Sequence, residues 1–271
     1  MLSETTMINA QASSLHAPYH LDNWQVAGVY TRAINLAGQS GNLLTLQRAG
    51  NGISPMSWIL RRQDFDHLRE NLLSGCTVEV NPYGLMFGKL RVHAPQRRYS
   101  LRLPLTISPR QLAPEYLNRG EETGLYGPLY AAISQPLDKQ LLKLSRLFRQ
   151  SLRGRKVDWS GHLGKGPGLT PTHDDLLVGM LLAARLNGVL TNDCFFAASG
   201  SLRAATTTVS VAYLEYAARG IFSSPLLHFA YALINNERQP IALEKLLSLG
   251  HTSGADTLLG FWLGQQAIRL L

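Results

Sequence analysis

Cysteine is scarce in this 271-residue chain, and no apolar run is long enough to cross a membrane. The two cysteines, Cys76 and Cys194, cannot build a disulfide framework or a cysteine metal cluster, which favours a reducing compartment. The longest apolar run, Leu176–Ala184, is shorter than a bilayer requires. Residues 1–18 lack the cationic start and apolar stretch of a secretion signal. These absences predict a folded cytoplasmic protein without a membrane segment.

Acidic residues are few beside the basic ones, with 18 Asp and Glu against 26 Lys and Arg. Much of the excess lies in residues 139–156, where four cations share one face of a predicted helix: Lys139, Lys143, Arg146 and Arg153. Such a face is either simply solvated or binds an anion or a partner protein. No zinc-finger spacing, aromatic-rich motif or recognition helix accompanies it, so no nucleic-acid role is predicted.

The first 110 residues carry short strand patterns separated by turn residues. The turns are Gly38–Gly41 and Pro82–Gly84, whose glycine and proline content is typical of connections between strands. Several short strands with such turns favour a small barrel or sandwich over a parallel sheet. The predicted strands are Val26–Leu36, Asn42–Arg48, Trp58–Arg61, Thr77–Asn81, Leu85–His93 and Tyr99–Leu105, with one helix around Asp64–Leu73.

The apolar period becomes helical after residue 110. The predicted helices are Pro114–Asn118, Leu125–Ile133, Leu137–Leu152, Thr172–Leu186, Leu202–Arg219, Pro225–Asn235, Ile241–Leu249 and Ser253–Leu270. The helices that include Leu176 and Leu258 are apolar on most sides, which predicts a central, buried position. We therefore predict an α+β chain with a tail (1–18), a β-rich, barrel- or sandwich-like N-terminal domain (19–110) and an all-helical C-terminal domain (111–271).

A glycine-rich loop, Gly164–Thr172, leads into one of these buried helices. Its glycines permit close approach of the backbone to a ligand, and a helix start carries partial positive charge. The loop is therefore predicted to bind a phosphate or carboxylate through Lys165, Gly166, Gly168, Thr170 and Thr172. It matches neither the Walker loop nor the dinucleotide fingerprint, and a simple tight turn is the alternative.

A second loop, Gly250–Asp256, opens the other buried helix and echoes the first. The spacing Thr172-x-x-Asp175-x-x-x-Gly179 recurs as Ser253-x-x-Asp256-x-x-x-Gly260. A hydroxyl and a carboxylate three residues apart form a capping pair, which is one explanation of the repeat. If the two helices pack side by side in parallel, the second start instead adds three residues to the substrate site: Ser253, Gly254 and Asp256.

Three residues are surplus to capping and are the predicted catalytic candidates: His173, Asp174 and His251. A lone helical histidine often has only a structural role, and that alternative stays open for both imidazoles. Asp174 and Asp175 are candidate ligands for Mg²⁺, which prefers carboxylates and water. Adjacent helix residues diverge by about 100°, which makes a shared ion difficult.

Two further motifs have open interpretations. The run Thr206–Ser210 lies inside a predicted helix, where the hydroxyl groups either bond back to the helix or point into a polar pocket. Thr207 is accordingly a candidate substrate ligand. The run Glu121–Pro128 places two carboxylates before glycine turns and is interpreted as a solvated approach to a helix.

Taken together, these motifs resemble a bacterial family of oxamate carbamoyltransferase subunits encoded with allantoin-degradation genes. The resemblance is carried by Gly164–Asp175, Thr206–Ser210, Ser224–His228, Gly250–Gly260, Glu121–Leu129 and Ile34–Leu36. It covers nearly the whole chain and is weakest over residues 1–20 and 76–118.

The resemblance implies a three-subunit enzyme that splits oxalurate with phosphate to give oxamate and carbamoyl phosphate. The two partner subunits would be unlike this chain. On that reaction, amide groups of Gly166, Gly168 or Gly254 would stabilise the oxyanion, and His173 or His251 would protonate the leaving nitrogen. Asp174 or Asp256 would orient that imidazole. A non-catalytic scaffold, whose basic helix docks the catalytic partners, is the alternative.

Overall fold

The computed structural model describes residues 6–19, 23–104, 112, 114–196, 202–233 and 238–271. The chain divides into two compact units, residues 1–101 and 102–271. The first contains the strands and the second most of the helices, which confirms the predicted α+β class. No helix in the described part of the chain is both long and apolar enough to span a bilayer.

The described residues of the N-terminal unit form ten strands and one helix, α1 (Arg62–Glu70). The strands are β1 (Thr6–Asn9), β2 (Ala12–Ser14), β3 (Trp24–Val29), β4 (Ala33–Gly38), β5 (Leu43–Arg48), β6 (Ser57–Leu60), β7 (Thr77–Asn81), β8 (Gly84–Phe87), β9 (Leu90–His93) and β10 (Arg98–Tyr99). Their order in the sheet is β1-β9-β8-β7-β3-β4-β5-β6-β2-β10.

The sheet curls until its two ends meet at one segment, residues 6–14. At the start of this segment β1 pairs in parallel with β9, and further along β2 pairs antiparallel with β6. β10, which follows β9 in the chain, pairs in parallel with β2. The unit is therefore barrel-like. Residues 6–14 were predicted as part of a tail, but they join the sheet because Ile8, 2% exposed, packs in its core.

Alternating burial accounts for the strands. In β3, Trp24 and Val26 face the core while Gln25 and Ala27 face outward. Phe65 and Leu68 of α1 pack against the same core. The predicted strand Val26–Leu36 is instead the hairpin of β3 and β4, because the backbone reverses where the Tyr30 amide donates to the Ala33 carbonyl at 2.8 Å.

The described helices of the C-terminal unit are arranged around a central pair of helices. They are α2 (Leu129–Ala132), α3 (Lys139–Leu152), α4 (Thr172–Leu186), α5 (Thr208–Ala218), α6 (Ser224–Ala232), α7 (Gln239–Leu247) and α8 (Ser253–Ile268). Every residue of α4 is buried, and most of α8 is buried too. These are the two helices whose apolar circumference predicted a central position.

Glycines let α4 and α8 pack backbone against backbone. The helices run side by side in the same direction, since Leu176 lies against Gly260 and Met180 against Gly264. A Cβ added at Gly260 would lie 2.1 Å from the Leu176 carbonyl oxygen, and one at Gly179 would lie 2.1 Å from that of Thr257. The packing brings the two helix starts together.

Candidate functional site

The starts of α4 and α8 meet in a polar junction that is largely sealed from solvent. Its central contact joins the hydroxyl oxygens of Thr170 and Ser253, which lie 3.0 Å apart. The surrounding polar side chains are buried: Thr172, His173, Asp174, Asp175 and Asp256. Burial of this many polar groups is costly unless each finds a partner, so their contacts define what the junction can do.

His173 is held at both ring nitrogens. Its Nδ1 lies 2.7 Å from the carbonyl oxygen of His162, which can only accept, so Nδ1 carries the hydrogen. Its Nε2 is therefore the acceptor for the Tyr126 hydroxyl, 2.6 Å away. Burial lowers the pKa of His173, which keeps the imidazole neutral. His162 and Tyr126, rather than Asp174 or Asp256, orient this ring.

Asp174 ties two loops to the start of α4. Its Oδ1 accepts from the Gly164 amide at 2.9 Å, and its Oδ2 accepts from the Thr206 hydroxyl. Burial raises the pKa of this carboxyl, although these hydrogen bonds oppose the rise. The carboxylate therefore serves as an internal anchor.

Asp175 and Asp256 pair with the opposite helix. Asp175 faces Ser253 and Thr170, and burial raises its pKa well above the usual value. One of its oxygens, Oδ2, has no hydrogen-bond partner in the described part of the chain. Asp256, 0% exposed, accepts from the Gly124 amide at 3.0 Å. Burial raises its pKa to about 6, although the nearby Thr172 hydroxyl lowers this pKa in part.

The capping explanation of the repeated hydroxyl and carboxylate is wrong. The residues before the two helices are Pro171 and Thr252, and neither helix has a side-chain cap hydrogen bond. A capping pair joins residues of one helix, whereas Asp175 faces Ser253 across the helix pair. The repeat instead serves the contact between the helices.

The glycine loop is folded onto its own helix. The His173 amide donates to the Lys165 carbonyl at 3.0 Å, and a Cβ at Gly166 would meet the Thr172 amide at 2.5 Å. The Gly254 amide is used likewise, since it donates to Leu249 at 3.1 Å. This hydrogen bond keeps the Gly254 amide within the chain, and its oxyanion role stays a prediction. Gly168 differs, because a Cβ there would have no atom within 4 Å.

The remaining predicted residues lie around the junction rather than in it. The Lys165 ammonium group donates to Gln140 Oε1 at 3.1 Å. Thr207 caps α5 by accepting from the Ser210 amide at 3.1 Å, so the threonines begin that helix instead of lying inside it. His251 is exposed on the turn before α8, whereas His173 is buried. The two imidazoles thus occupy different environments.

Asp174 and Asp175 point to different partners, as their neighbouring positions on a helix require. Within the described ranges, no group of three or more His, Cys, Asp or Glu side chains is arranged to hold a metal ion. Mg²⁺ at this pair stays a prediction.

Two protein-family models match the chain. The one described as oxamate carbamoyltransferase subunit AllH matches residues 162–265, and the one described as the AllH family N-terminal domain matches residues 6–101. The chain belongs to the AllH family. No solved structure matches it.

The AllH match over residues 162–265 contains both helix starts and therefore most of the junction. The N-terminal match corresponds closely to the barrel-like unit, residues 1–101. The two matches therefore fall on the helical part and on the β-rich part of this chain. The family is described as a subunit of oxamate carbamoyltransferase.

Sequence reasoning missed Tyr126 and Gly124, which precede this AllH match. The run Glu121–Pro128 is a tight loop, in which the Thr123 hydroxyl donates to the Gly127 carbonyl at 2.8 Å. The loop sets Gly124 against Asp256 and Tyr126 against His173. A Cβ at Gly124 would lie 2.1 Å from the Thr172 hydroxyl, so a larger residue there would displace the Thr172 side chain. The signal was the pair of glycines around Tyr126, which was interpreted as a solvated turn.

The buried carboxyls make stability depend on pH. Because burial raises the Asp256 pKa from 3.8 to about 6, the folded chain binds more protons than the unfolded chain between these values. The free energy of unfolding is therefore expected to fall as the pH rises from about 4 to 7. Asp256 accounts for about 3 kcal/mol of this decrease. Asp256→Asn keeps an oxygen for the Gly124 amide but cannot ionise, so it should flatten this decline.

Urea unfolding of both proteins at several pH values measures the effect. Asp158→Asn is the control, because hydrogen bonds from Ser160 lower the pKa of Asp158 and give its contribution the opposite sign. An Asp256→Asn protein whose stability declines as steeply as that of the wild type would contradict the assignment.

Proposed function

We propose that this AllH-family chain takes part directly in the phosphorolysis of oxalurate to oxamate and carbamoyl phosphate. The observation that supports this most is the Tyr126–His173 pair, in which a neutral imidazole nitrogen accepts from the hydroxyl of the half-buried Tyr126. Such a pair can accept and return a proton. We further propose that the chain acts in the cytoplasm, in allantoin catabolism, together with two other subunits.

The reaction needs one proton to move. A phosphate oxygen bonds to the carbamoyl carbon, and the bond from that carbon to the oxamate nitrogen breaks. The proton of hydrogen phosphate ends on the oxamate nitrogen, so atoms and charge balance without another reactant. A group that takes this proton and then returns it would lower the barrier.

Tyr126 and His173 have the connectivity for this transfer. When the phosphate proton reaches the Tyr126 oxygen, the proton of the tyrosine passes to His173 Nε2. The hydrogen on Nδ1 stays with the His162 carbonyl throughout. Because burial lowers the pKa of His173, its protonated form returns the proton readily. The oxamate nitrogen receives the proton along the same path.

Lys165 and Gly168 are the loop residues best suited to meet the anionic substrates. Lys165 is only half-buried, and its ammonium group can exchange its contact with Gln140 for a phosphate or carboxylate. Gly168 is exposed and has open space beside it. The hydroxyl groups of Thr170, Thr172, Thr207 and Ser253 face other groups of the chain and shape the wall of the site.

Reconstitution tests the proposal. Carbamoyl phosphate formed from oxalurate and phosphate should appear when this chain is combined with its partner subunits, and should vanish when it is left out. Absence of the product in every combination would contradict the proposed reaction. The Mg²⁺ prediction is tested in the same assay, since EDTA should abolish turnover and Mg²⁺ should restore it.

A scaffold role is the second candidate, and the surface of α3 favours it. Leu141, Leu144 and Phe148 face the interior of the unit, while Lys143 and Arg146 are exposed. On this alternative, Lys143→Glu with Arg146→Glu should weaken assembly with the partner subunits, whereas Lys89→Glu should not. Replacing His173, Asp174 and His251 separates the two candidates. Unchanged turnover in a fully assembled complex would favour the scaffold.

A further inference from the structure

A cavity of about 600 Å³ lies between α6 and α7, apart from the junction. One wall is a face of α6 with His228, Tyr231 and Ala232, which are spaced three and four residues apart. The other wall is formed by Arg238, which directly precedes α7, and by Ile241, Ala242 and Lys245 on one face of α7. The volume lies within the range of small-molecule pockets.

The α7 wall places two cations around an apolar strip. Arg238 and Lys245 are seven residues apart, so about two helical turns, or roughly 10 Å, separate them. Ile241 and Ala242 lie between them, and Ile241 is 65% exposed. An apolar surface flanked by charges fits a ligand that has both an apolar body and charged groups.

The described residues that line this cavity carry a net positive charge. The described residues that line it include two cations and no carboxylate. The one acidic residue of α7, Glu244, is engaged elsewhere, since its carboxylate accepts from Arg119 at 2.7 Å. Tyr231, 45% exposed on the opposite wall, offers an aromatic face to the same space.

We propose that this cavity binds a small organic anion with an aromatic or acyl body. Its apolar part would lie on Ile241, Ala242 and Tyr231, and its carboxylate, sulfonate or phosphate would meet Arg238 or Lys245. Oxalurate, oxamate and phosphate lack an apolar body and are too small to fill the space. The site is therefore distinct from the substrate site and independent of the proposed reaction.

Two naphthalene dyes test the proposal on the full chain. Anilinonaphthalene sulfonate carries a negative charge, and N-phenyl-1-naphthylamine has a similar body without one. Fluorescence titration should give one saturable site with a clear preference for the sulfonate. The pair Arg238→Gln and Lys245→Gln should weaken the sulfonate about tenfold and leave the neutral dye unchanged. Tyr231→Ala should weaken both dyes.

The matched control is Arg32→Gln with Lys89→Gln, which removes two exposed charges from the N-terminal unit and should leave both affinities unchanged. Thermal melting checks that every variant is folded. Equal affinity for the two dyes in the wild type would overturn the proposal, as would the absence of a saturable site. Loss of dye binding in the assembled complex would show that a partner subunit covers the cavity, and this result would overturn the proposal as well.

Discussion

Gly260→Ala is expected to destabilise the helical unit by about 3 kcal/mol or more. A Cβ at this position would lie 2.1 Å from the Leu176 carbonyl oxygen and 2.6 Å from the Leu176 Cα. These are backbone atoms, which cannot rotate away as a side chain can, so α4 and α8 must separate. Alanine gains about 1 kcal/mol over glycine in helix propensity, which is too little to offset the loss of this packing.

Thermal and urea unfolding of the whole chain measure this effect. Gly120→Ala is the matched control, because it adds the same methyl group in the same unit where no atom lies within 4 Å. The control should unfold within about 0.5 kcal/mol of the wild type. Gly179→Ala should resemble Gly260→Ala, and the double variant should cost less than the sum because one separation relieves both clashes. A Gly260→Ala protein that is as stable as the wild type would contradict the close packing of α4 and α8.

Tyr126→Phe is expected to lower the kcat of the reconstituted enzyme at least about 100-fold with little change in KM. The substitution removes only the hydroxyl that lies 2.6 Å from His173 Nε2. On the proposed mechanism that oxygen carries the proton between phosphate, imidazole and leaving nitrogen. Loss of this hydrogen bond leaves the buried His173 Nε2 unpaired, which costs about 1–3 kcal/mol, so the variant should still fold and assemble.

Tyr130→Phe is the control for this experiment, because Tyr130 is an exposed tyrosine four residues further along the chain. Its kcat should equal that of the wild type. Thermal melting and co-purification with the partner subunits establish that both variants are folded and assembled. If Tyr126→Phe assembles and turns over within twofold of the wild type, Tyr126 carries no proton and the scaffold alternative gains support.

Much of the fold followed from local patterns. The turn residues Gly38–Gly41 and the alternating burial of β3 depend on neighbours along the chain, and so do the bounds of α4, which were predicted without error. The apolar circumference of α4 and α8 also predicted their central position. Local periodicity determines such features because each residue faces a side set only by its own helix or strand.

The closure of the sheet did not follow from local patterns. The two strands within residues 6–14 have only four and three residues and many polar side chains, and their pairing partners lie far along the chain in β9 and β6. Strand pairing over such sequence distances is decided by the shape of the whole sheet. The segment is ordered because its neighbours offer open edges and a core position for Ile8.

The paired helix starts were recognised from the sequence alone, by the repeat that ends at Gly179 and Gly260. What their side chains do was decided by the tertiary structure. The backbone contact at the glycines sets Asp175 against Ser253, and the loop around Gly124 brings Tyr126 to His173. A spacing within one helix cannot reveal a partner on another element. The repeat therefore identified the junction, and only the packing determined its chemistry.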